Sequence, residues 1–477
     1  MPLLSDYPQL KTVCDIAKQK KVSVYLVGGF LRDFLLGVSK KDFDFAVEKN
    51  ALGVARAFSE KIKGAYVLLD EDRGYARVAK KVKGELYTFD FADFRDKTFK
   101  GDLAHRDFTI NTLFVDLSKV KAKTELADVL MDVNRGLKDI ADKRIKRVSV
   151  RAFKEDPLRM MRAFSLKAVL GFKIELKTLN QIRKEKDLIR NVSYERIREE
   201  LFKILETDKS APIIKSMDRA GLLEKIIPQV KIMFDCKQGI YHHLDVWPHS
   251  IETVVQLEKI FAQIRNDEEI AAYLGESLGG NRSRRSVMKL AALLHDIGKP
   301  DTRRKEGGKV SYHGHEHVGK NIVKHIAKML KLSVRERHAI EDMVCWHLRP
   351  GYLSNFKQPS EKAIYRYFRD TKDESVSTLL LSLADQRSTR GPATTQQDQE
   401  HHEAICLNLV RRYFQKKKEK PFQRLISGDD LIRKLKLKPS PLFAKILSEV
   451  EERQMLGKLK NKTEALECAR KIAAKKA

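Results

Sequence analysis

The chain has 477 residues, 42% of them hydrophobic, which is typical of a protein that folds into several domains around buried cores. No apolar run reaches the length of a membrane span, and residues 1–10 lack the features of a signal peptide, so we expect a cytoplasmic protein. Five scattered cysteines without a Cys-x-x-Cys pair argue against a disulfide framework and a zinc ribbon. The net charge of +29 indicates a polyanionic partner, and we expect nucleic acid.

The first functional pattern is a short apolar run that ends in Gly28 and Gly29, followed by an alternating segment at residues 42–47. The run predicts a buried strand and a tight turn, and the alternation predicts a second strand. Because side chains two apart on a strand share a face, Asp42 and Asp44 are expected to project together. Paired carboxylates beside glycines that open the backbone to phosphate suit Mg²⁺ and nucleotidyl transfer. The alternative is an exposed hairpin with two solvated aspartates.

The same stretch resembles the signature of the class II tRNA nucleotidyltransferase and bacterial poly(A) polymerase family. It reads Val-Gly-Gly-x-x-Arg-Asp-x-Leu-Leu-Gly and then Asp-x-Asp. The resemblance implies that Asp42 and Asp44 are the catalytic metal ligands. It also implies that Gly29 and Arg32 contact the incoming nucleotide.

Three more strands are predicted before residue 100, at residues 66–70, 75–82 and 86–91. Asp90 lies on the last of them. The family resemblance supports Asp90 as a third catalytic carboxylate near the metal. Asp93 and Asp96 are its competitors for that role.

Residues 102–111 form a polar segment that enters a predicted helix. Arg106 and Asn111 are expected to reach a triphosphate or a ribose, and Asp107 to orient Arg106. A surface ion pair of little energetic value is the alternative. The segment is a near match to a second motif of the family, with His105 where the family has an arginine.

From about residue 151 the pattern becomes helical, and Asp156, Arg159 and Arg162 recur three apart, near one face of a helix. An aspartate beside an arginine matches cytosine and adenine, which present a ring acceptor and an exocyclic amine. Uracil and guanine would leave buried donors unpaired, at a cost of roughly 1–3 kcal/mol each. The segment matches the family's Glu-Asp-x-x-Arg motif, whose aspartate and arginine select CTP and ATP without a nucleic-acid template. A helix cap is the alternative role of Asp156.

A further helix is predicted to open at residues 192–197, which resemble the last motif of the family's head and neck. We interpret this motif as structural support rather than chemistry.

Ten of the thirteen histidines lie between His242 and His347. The functional pattern is an ordered series of His, His-Asp, His, His and Asp. Imidazoles and carboxylates together suit a metal with open positions for water and phosphate. The series resembles the HD phosphohydrolase superfamily. That resemblance implies one metal held by His249, His295, Asp296 and Asp385, and a second held by His315 and His347. His313 is an alternative to His315. The identity of the metal is open, as is the choice between an active phosphohydrolase and a relic that only holds tRNA.

The resemblance covers most of the chain and implies an α+β fold. Residues 1–150 form a mixed-sheet catalytic head, and residues 151–230 a helical neck with base-reading and RNA-binding elements. Residues 231–400 form the HD domain, and residues 401–477 a basic, tRNA-binding helical tail with a helical pair at residues 449–476. Two polar segments, at residues 266–285 and 391–399, are predicted to be loops, the first of them mobile.

The sequence therefore predicts a tRNA nucleotidyltransferase that uses CTP, ATP and Mg²⁺ to add CCA, or part of it, to the 3′ end of tRNA and releases pyrophosphate. Arg32 and Arg106 would stabilise the charge of the triphosphate. A poly(A) polymerase and an enzyme that adds only CC or only A are alternatives. An HD phosphohydrolase with an RNA-docking head and a nonenzymatic RNA-binding protein are alternatives from other classes.

Overall fold

The computed structural model describes residues 7–38, 41–121, 124–307, 309–419 and 422–476. Residues 1–6, which bear on the expected lack of a signal peptide, lie outside this part of the chain. Two compact units are present: residues 1–204 with 216–226, and residues 205–215 with 227–477. The chain is mostly helical with one large mixed sheet near its N-terminus, which confirms the predicted α+β class.

The described α-helices are numbered in chain order: α1 (Pro8–Lys20), α2 (Gly29–Leu35), α3 (Ala51–Ile62), α4 (Phe99–Ala104), α5 (Leu126–Val129), α6 (Gly136–Ala141), α7 (Ala152–Glu155), α8 (Arg159–Leu170), α9 (Leu176–Glu185), α10 (Tyr194–Leu205), α11 (Ala211–Arg219), α12 (Leu223–Ile226), α13 (Val246–Gln263), α14 (Glu268–Gly275), α15 (Arg284–Leu294), α16 (Lys299–Thr302), α17 (His315–Met329), α18 (Val334–Trp346), α19 (Arg349–Ser354), α20 (Glu361–Thr371), α21 (Ser375–Ser388), α22 (Gln396–Lys418), α23 (Gly428–Arg433), α24 (Leu442–Met455) and α25 (Lys462–Lys476).

The described strands are β1 (Val24–Val27), β2 (Asp42–Val47), β3 (Ala65–Asp70), β4 (Tyr75–Val82), β5 (Glu85–Asp93), β6 (Phe114–Asp116), β7 (Leu130–Met131), β8 (Arg144–Ile145), β9 (Lys173–Ile174), β10 (Ser277–Gly279), β11 (Arg282–Ser283), β12 (Arg304–Glu306) and β13 (Lys309–Ser311). The first seven form one sheet in the order β3-β4-β5-β2-β1-β6-β7. All pairs in it are antiparallel except β2 with β5. The five strands that the sequence predicted are confirmed as β1 to β5.

One face of the sheet is apolar because alternate residues of β2 and β5 are phenylalanines. Phe43 stacks on Phe89 with ring centroids 5.1 Å apart, and Phe45 on Phe91 at 4.7 Å. Each ring is at most 2% exposed, and burial of one such side chain contributes roughly 1.5–3 kcal/mol. Helices α1 and α3 cover this face with their own apolar residues. The opposite face is left to the intervening polar residues, which include Asp42, Asp44 and Asp90.

The neck that follows the sheet is helical, as predicted, apart from the short parallel pair of β8 and β9. Two residues per strand are too few to show an alternating pattern. Helix α8 buries Met160, Met161 and Phe164, which fixes the rotation of the helix about its axis. Arg162 is thereby left partly exposed, whereas Arg159 and Ser165 of the same helix are buried.

The prediction that residues 266–285 form a mobile loop is wrong. The segment contains α14 and the hairpin of β10 and β11. Arg284 is 1% exposed, bonds with Glu374 and Glu276, and stacks 4.2 Å above the ring of Tyr273. Arg282 reaches Glu336. Arg282 and Arg284 are therefore held by the buried carboxylates of Glu336 and Glu374, and Arg284 also by an aromatic ring.

Residues 391–395 lie outside helices, but α22 begins at Gln396, inside the predicted loop at residues 391–399. The predicted helical pair in the tail is present as α24 and α25. These two helices pack around Ile446, Val450 and Ala469.

Candidate active site and metal centre

The signature stretch places a glycine turn directly against an aspartate. Val27, the last residue of β1, lies opposite Asp44 on β2. Gly28 follows with a φ of 85°, and a Cβ added there would lie 3.0 Å from Asp44 Oδ2. Only glycine combines this left-handed backbone with so close an approach. The turn and the carboxylate therefore form one unit.

Asp44 lies in a setting that favours an added cation. Loss of water around the carboxyl raises its pKa to about 6; Asp90 and Asp42 add to the shift, whereas Arg106 and Arg162 oppose it. Carboxylates that repel one another and offer only hard oxygen atoms fit Mg²⁺. The donor set therefore fits the metal that the sequence predicted, with Asp42 and Asp44 as its ligands.

The third carboxylate, Asp90, lies beside Asp44 in the register of β2 and β5. Its two oxygens are already engaged: Arg77, directly opposite on β4, donates to both at 2.7 Å, and the Tyr75 hydroxyl donates to Oδ2 at 2.9 Å. The competitor Asp93 instead accepts the Ala51 amide at the start of α3, at 2.7 Å. Asp90 is thus the carboxylate closer to the site, and the charge of Arg77 offsets its own.

A chain of polar contacts runs from the signature stretch into the neck. Arg32 bonds with Asp33 at 2.7–2.8 Å and donates to Asn111 Oδ1 at 2.5 Å. Asn111 donates to Asp107 Oδ1 at 3.0 Å, and Arg162 Nε donates to Asp107 Oδ2 at 2.9 Å. Of these five residues only Arg162 is substantially exposed. The chain brings together residues that the sequence predicted as a set, and we call it the Arg32–Arg162 chain.

The prediction that Asp107 orients Arg106 is wrong. Arg106 pairs with Asp102 at 3.1 Å, one helical turn earlier, while Asp107 binds Arg162. Burial disfavours the charged form of Asp107, but Arg162, Asn111 and the Phe108 amide outweigh it and hold the pKa below its usual range. Asp107 is therefore a charged anchor for Arg162. Arg106 lies near Asp44 and lowers that group's pKa.

The predicted base-reading residues are not paired with each other. Arg159 is 4% exposed and donates to the main-chain carbonyls of Ala152, at 3.1 Å, and His105. Asp156 Oδ2 accepts from Arg196 at 2.8 Å. Asp156 Oδ1 accepts the Leu158 amide, two residues further on, at 3.2 Å, which is the hydrogen bond of a helix cap, although α8 itself begins only at Arg159.

Arg196 is a candidate that the sequence interpretation missed. It lies in the first turn of α10, in the motif interpreted as structural support. Its contact with Asp156 spans 40 residues, so helical spacing could not reveal it. The signal that was present is an arginine near a helix start within a family motif.

In the second unit, the six predicted HD ligands come together: three lie in the helices α13, α17 and α21, and the other three directly follow α15 and α18. They form two groups whose ligand atoms lie within 4.8 Å of one another: His249, His295 and Asp385, and Asp296, His315 and His347. Asp296 Oδ2 lies 3.2 Å from His295 Nε2, and Oδ1 lies 3.3 Å from His315 Nε2. Asp296 thus lies between the two groups, whereas the sequence predicted it as a ligand of the first metal. His313, the alternative to His315, is exposed.

The hydrogen bonds of the rings fix their lone pairs toward this centre. Nδ1 of His295, His315 and His347 each contacts a main-chain carbonyl at 2.7–2.8 Å and so carries the proton. His315 Nε2 and His347 Nε2 then face each other as two acceptors, 3.3 Å apart. Within the described residues, Asp296 Oδ1 is buried without a hydrogen-bond partner. Facing acceptors of imidazole and carboxylate type fit a divalent metal ion.

Electrostatics at the centre leads to the same conclusion. Burial favours the neutral ring of His295, yet Asp296 and Asp385 outweigh it and raise the pKa of that ring to about 10. Burial and the neighbouring His295 and His315 lower the pKa of His347 to about 3. The carboxylates thus require a positive charge, and His347 has the neutral form that a metal ligand needs.

Two further residues border the metal centre and were not predicted. Lys299 Nζ lies 2.7 Å from Asp296 Oδ2 and donates to Gln238 at 2.7 Å. The His242 ring packs against His249 with centroids 4.7 Å apart. Both residues were visible in the sequence, as a lysine three positions after Asp296 and as the first histidine of the cluster.

Of the helices that the structure describes, none is both long enough and apolar enough to cross a membrane.

Known families match the chain in successive segments. The description "Poly A polymerase head domain" matches residues 24–146, and an RNA-binding region of polymerase A matches residues 171–233. "HD domain" matches residues 246–390, and the second domain of a tRNA nucleotidyltransferase matches residues 394–469. The A-adding tRNA nucleotidyltransferase of Deinococcus radiodurans is 30% identical over 448 residues, 92% of this chain and 93% of the relative. The chain belongs to the class II tRNA nucleotidyltransferases with an HD domain.

This nucleotidyltransferase is also similar to relatives with other product names. The CC-adding tRNA nucleotidyltransferase of Geobacter sulfurreducens is 26% identical, covering 96% of this chain and 94% of the relative. The multifunctional CCA protein of Neisseria gonorrhoeae is 29% identical over 69% of this chain and 74% of its own length. A solved CCA-adding enzyme with ATP superposes with a TM-score of 0.65 at 19% identity, covering 99% of this chain and 96% of that one, which shows a shared fold.

Asn111→Ala tests the Arg32–Arg162 chain. The substitution leaves Arg32 and Asp107 without their common partner, and both are buried. We expect a loss of roughly 1–3 kcal/mol in the free energy of unfolding, measured by urea denaturation. Asn180→Ala, at an exposed position of α9 that bonds only locally with Arg183, is the matched control and should change stability by less than about 0.5 kcal/mol. Equal effects of the two variants would show that the chain contributes nothing specific.

His315→Ala and His313→Ala test the metal centre. His315 faces Asp296 and His347, whereas His313, two residues earlier, is exposed. We expect the bound transition metal of His315→Ala to fall to about half of the wild-type value, and that of His313→Ala to stay unchanged. The readout is metal per chain by mass spectrometry after dialysis. Unchanged metal in His315→Ala would contradict the ligand assignment.

Proposed function

We propose that this nucleotidyltransferase extends the 3′ end of tRNA with CTP or ATP and adds one part of the CCA sequence rather than all of it. The observation that carries the proposal is the single polar chain that joins the stretch bearing Asp42 and Asp44 to the helix bearing Arg162. A metal-binding carboxylate pair and a base-reading neck held together in this way suit template-independent nucleotide addition.

In the proposed reaction Asp42 and Asp44 hold Mg²⁺. When bound, the metal supplies positive charge that lowers the pKa of the attacking 3′ hydroxyl and offsets the charge of the leaving pyrophosphate. Gly28 and Gly29 allow the triphosphate to approach the backbone. Arg106, which lies near Asp44, neutralises phosphate oxygens.

Arg162 shares this role, since it also lies near Asp44 and is held in place by Asp107. Arg32 is buried against Asp33 and Asn111, so its part is to hold the turn and to orient Asn111. Asp90, which lies beside Asp44, keeps Arg77 in place and contributes negative charge to the site. Asp156 accepts a hydrogen bond from the exocyclic amine of cytosine or adenine.

Partial addition is supported by four relatives that match over more than nine tenths of the chain, one named as an A-adding and three as CC-adding enzymes. The tRNA partner is supported by the same names and by the charge of +29. The relative named as a multifunctional CCA protein matches over a shorter part of the chain.

A second activity, metal-dependent phosphohydrolysis by the HD domain, is favoured by the complete set of six ligands and by Lys299 beside them. The metal would activate water and polarise a phosphate, which is the chemistry that such a centre supplies when loaded. Lys299 and His242 would border the substrate. The substrate class that fits these cationic and imidazole groups is a phosphodiester.

The test uses tRNA transcripts that end at the position before CCA, after C and after CC, each incubated with CTP, ATP or both. A partial adder extends only one or two of the transcripts, with one of the nucleotides. Addition of all three nucleotides to the shortest transcript would contradict partial addition, and long A tails would indicate a poly(A) polymerase.

Two variants separate the two activities. Asp44→Asn should lower nucleotide addition by at least about a hundredfold, because the metal loses a ligand, and should leave hydrolysis of bis-p-nitrophenyl phosphate intact. Asp296→Asn should do the reverse. If Asp44→Asn retained full addition activity, the proposed catalytic site would be wrong.

A further inference from the structure

Strand β3 forms one edge of the seven-stranded sheet and pairs with β4 on one side only. Within the part of the chain that the structure describes, no hydrogen bond reaches the main chain of β3 from the other side. Tyr66 packs against the core of the sheet, but the next three side chains, Val67, Leu68 and Leu69, are each 44% exposed. Unpaired main-chain groups beside exposed apolar side chains are a template for pairing with another strand.

Edge strands are commonly protected from such pairing by proline, by lysine or by a β-bulge. Residues 65–70 read Ala-Tyr-Val-Leu-Leu-Asp and contain neither proline nor lysine. The register of β3 against β4 shifts once, between Leu68 and Asp70, as it does at a bulge. Residues 65–68 therefore remain as a regular segment whose outer side can accept a further strand.

The two ends of β3 carry opposite charges. Lys63 lies two residues before the strand, and Glu71 and Asp72 follow it. All three are exposed, and among the described residues none of them forms an ion pair, whereas Asp70 lies 3.7 Å from Arg73. When two identical strands pair in antiparallel order about a two-fold axis, the start of each lies beside the end of the other. Lys63 of one copy would then face Glu71 or Asp72 of the other, so this edge is complementary to itself.

We infer that β3 is a docking surface for a second copy of this chain, which pairs its own β3 with it in antiparallel order. The sheet then continues from one copy into the other, with the exposed apolar side chains near the axis and ion pairs at both ends. Two-fold symmetry supplies the charge match without a further requirement, which is why we assign the edge to a second copy rather than to a different protein. The inference does not depend on the proposed function, because β3 contains none of the catalytic residues.

The first test measures the mass of the full chain by analytical ultracentrifugation over a wide range of protein concentration. We expect the wild type to pass from monomer to dimer as the concentration rises. Leu68→Lys should raise the dissociation constant of the dimer at least about tenfold, because a charge is then placed in the apolar middle of the paired edge. Leu86→Lys is the matched control: Leu86 is an exposed leucine of β5, away from the edge, and its replacement should leave the dimer unchanged.

The second test exchanges the charges at the two ends of β3. Lys63→Glu alone, and Glu71→Lys with Asp72→Lys, should each weaken association by about tenfold, because like charges then face each other at both ends of the dimer. The three substitutions together should restore association to about the wild-type level, since opposite charges face each other again. This restoration also shows that the weakened variants were folded.

Hydrogen exchange locates the contact. In the wild type, exchange of the main-chain amides of residues 65–70 should slow as the protein concentration rises, and in Leu68→Lys it should not. A chain that stays monomeric at every concentration would overturn the inference. So would a dimer that Leu68→Lys leaves intact, or a charge-exchanged variant that associates no more tightly than the single reversals.

Discussion

The head and neck depend on the buried carboxylate of Asp107. It accepts from the Phe108 amide at 2.7 Å, from Asn111 at 3.0 Å and from Arg162 at 2.9 Å. A buried charge is stable only when donors of this kind surround it. Because Asn111 also binds Arg32, the same carboxylate connects the glycine turn at Gly28 to helix α8. Loss of Asp107 would therefore disturb the metal ligands and the neck together.

The two candidate metal sites follow one physical rule in separate units of the chain. In the head, burial raises the pKa of Asp44 to about 6, and the nearby Asp90 and Asp42 add to the shift. In the HD domain, imidazole nitrogens and Asp296 face one another as acceptors. Carboxylates that repel one another, or acceptors that face one another, stay this close only where the surrounding fold holds them in place or where a cation binds between them. A glycine also allows close packing at the HD centre. A Cβ at Gly298 would lie 2.2 Å from the His315 carbonyl, so only glycine allows α17 to lie this close to residue 298.

Local periodicity made part of this structure predictable. The alternation of β2 is enough to place Asp42 and Asp44 on one face and Phe43 and Phe45 on the other, because the period of a strand is fixed. The order of histidines and aspartates likewise indicated the HD ligands, which the fold brings to one place.

Contacts between distant segments were not predictable. Arg162 reaches Asp107 across 55 residues and Arg196 reaches Asp156 across 40. No rule of sequence spacing predicts such pairs. The polar composition of residues 266–285 led to the wrong prediction of a loop, because Arg284 is buried rather than solvated. Ion pairs of this kind depend on how helices pack, which is decided by their apolar faces.

The central claim is that the Asp107–Arg162 pair couples the catalytic stretch to the base-reading helix. A double-mutant cycle with Asp107→Asn and Arg162→Gln tests it, with kcat/KM for nucleotide addition and the free energy of unfolding as the two readouts. We predict a coupling energy above about 1 kcal/mol in both, because each substitution alone leaves the other group unpaired. Effects that add to within about 0.3–0.5 kcal/mol in both readouts would contradict the claim.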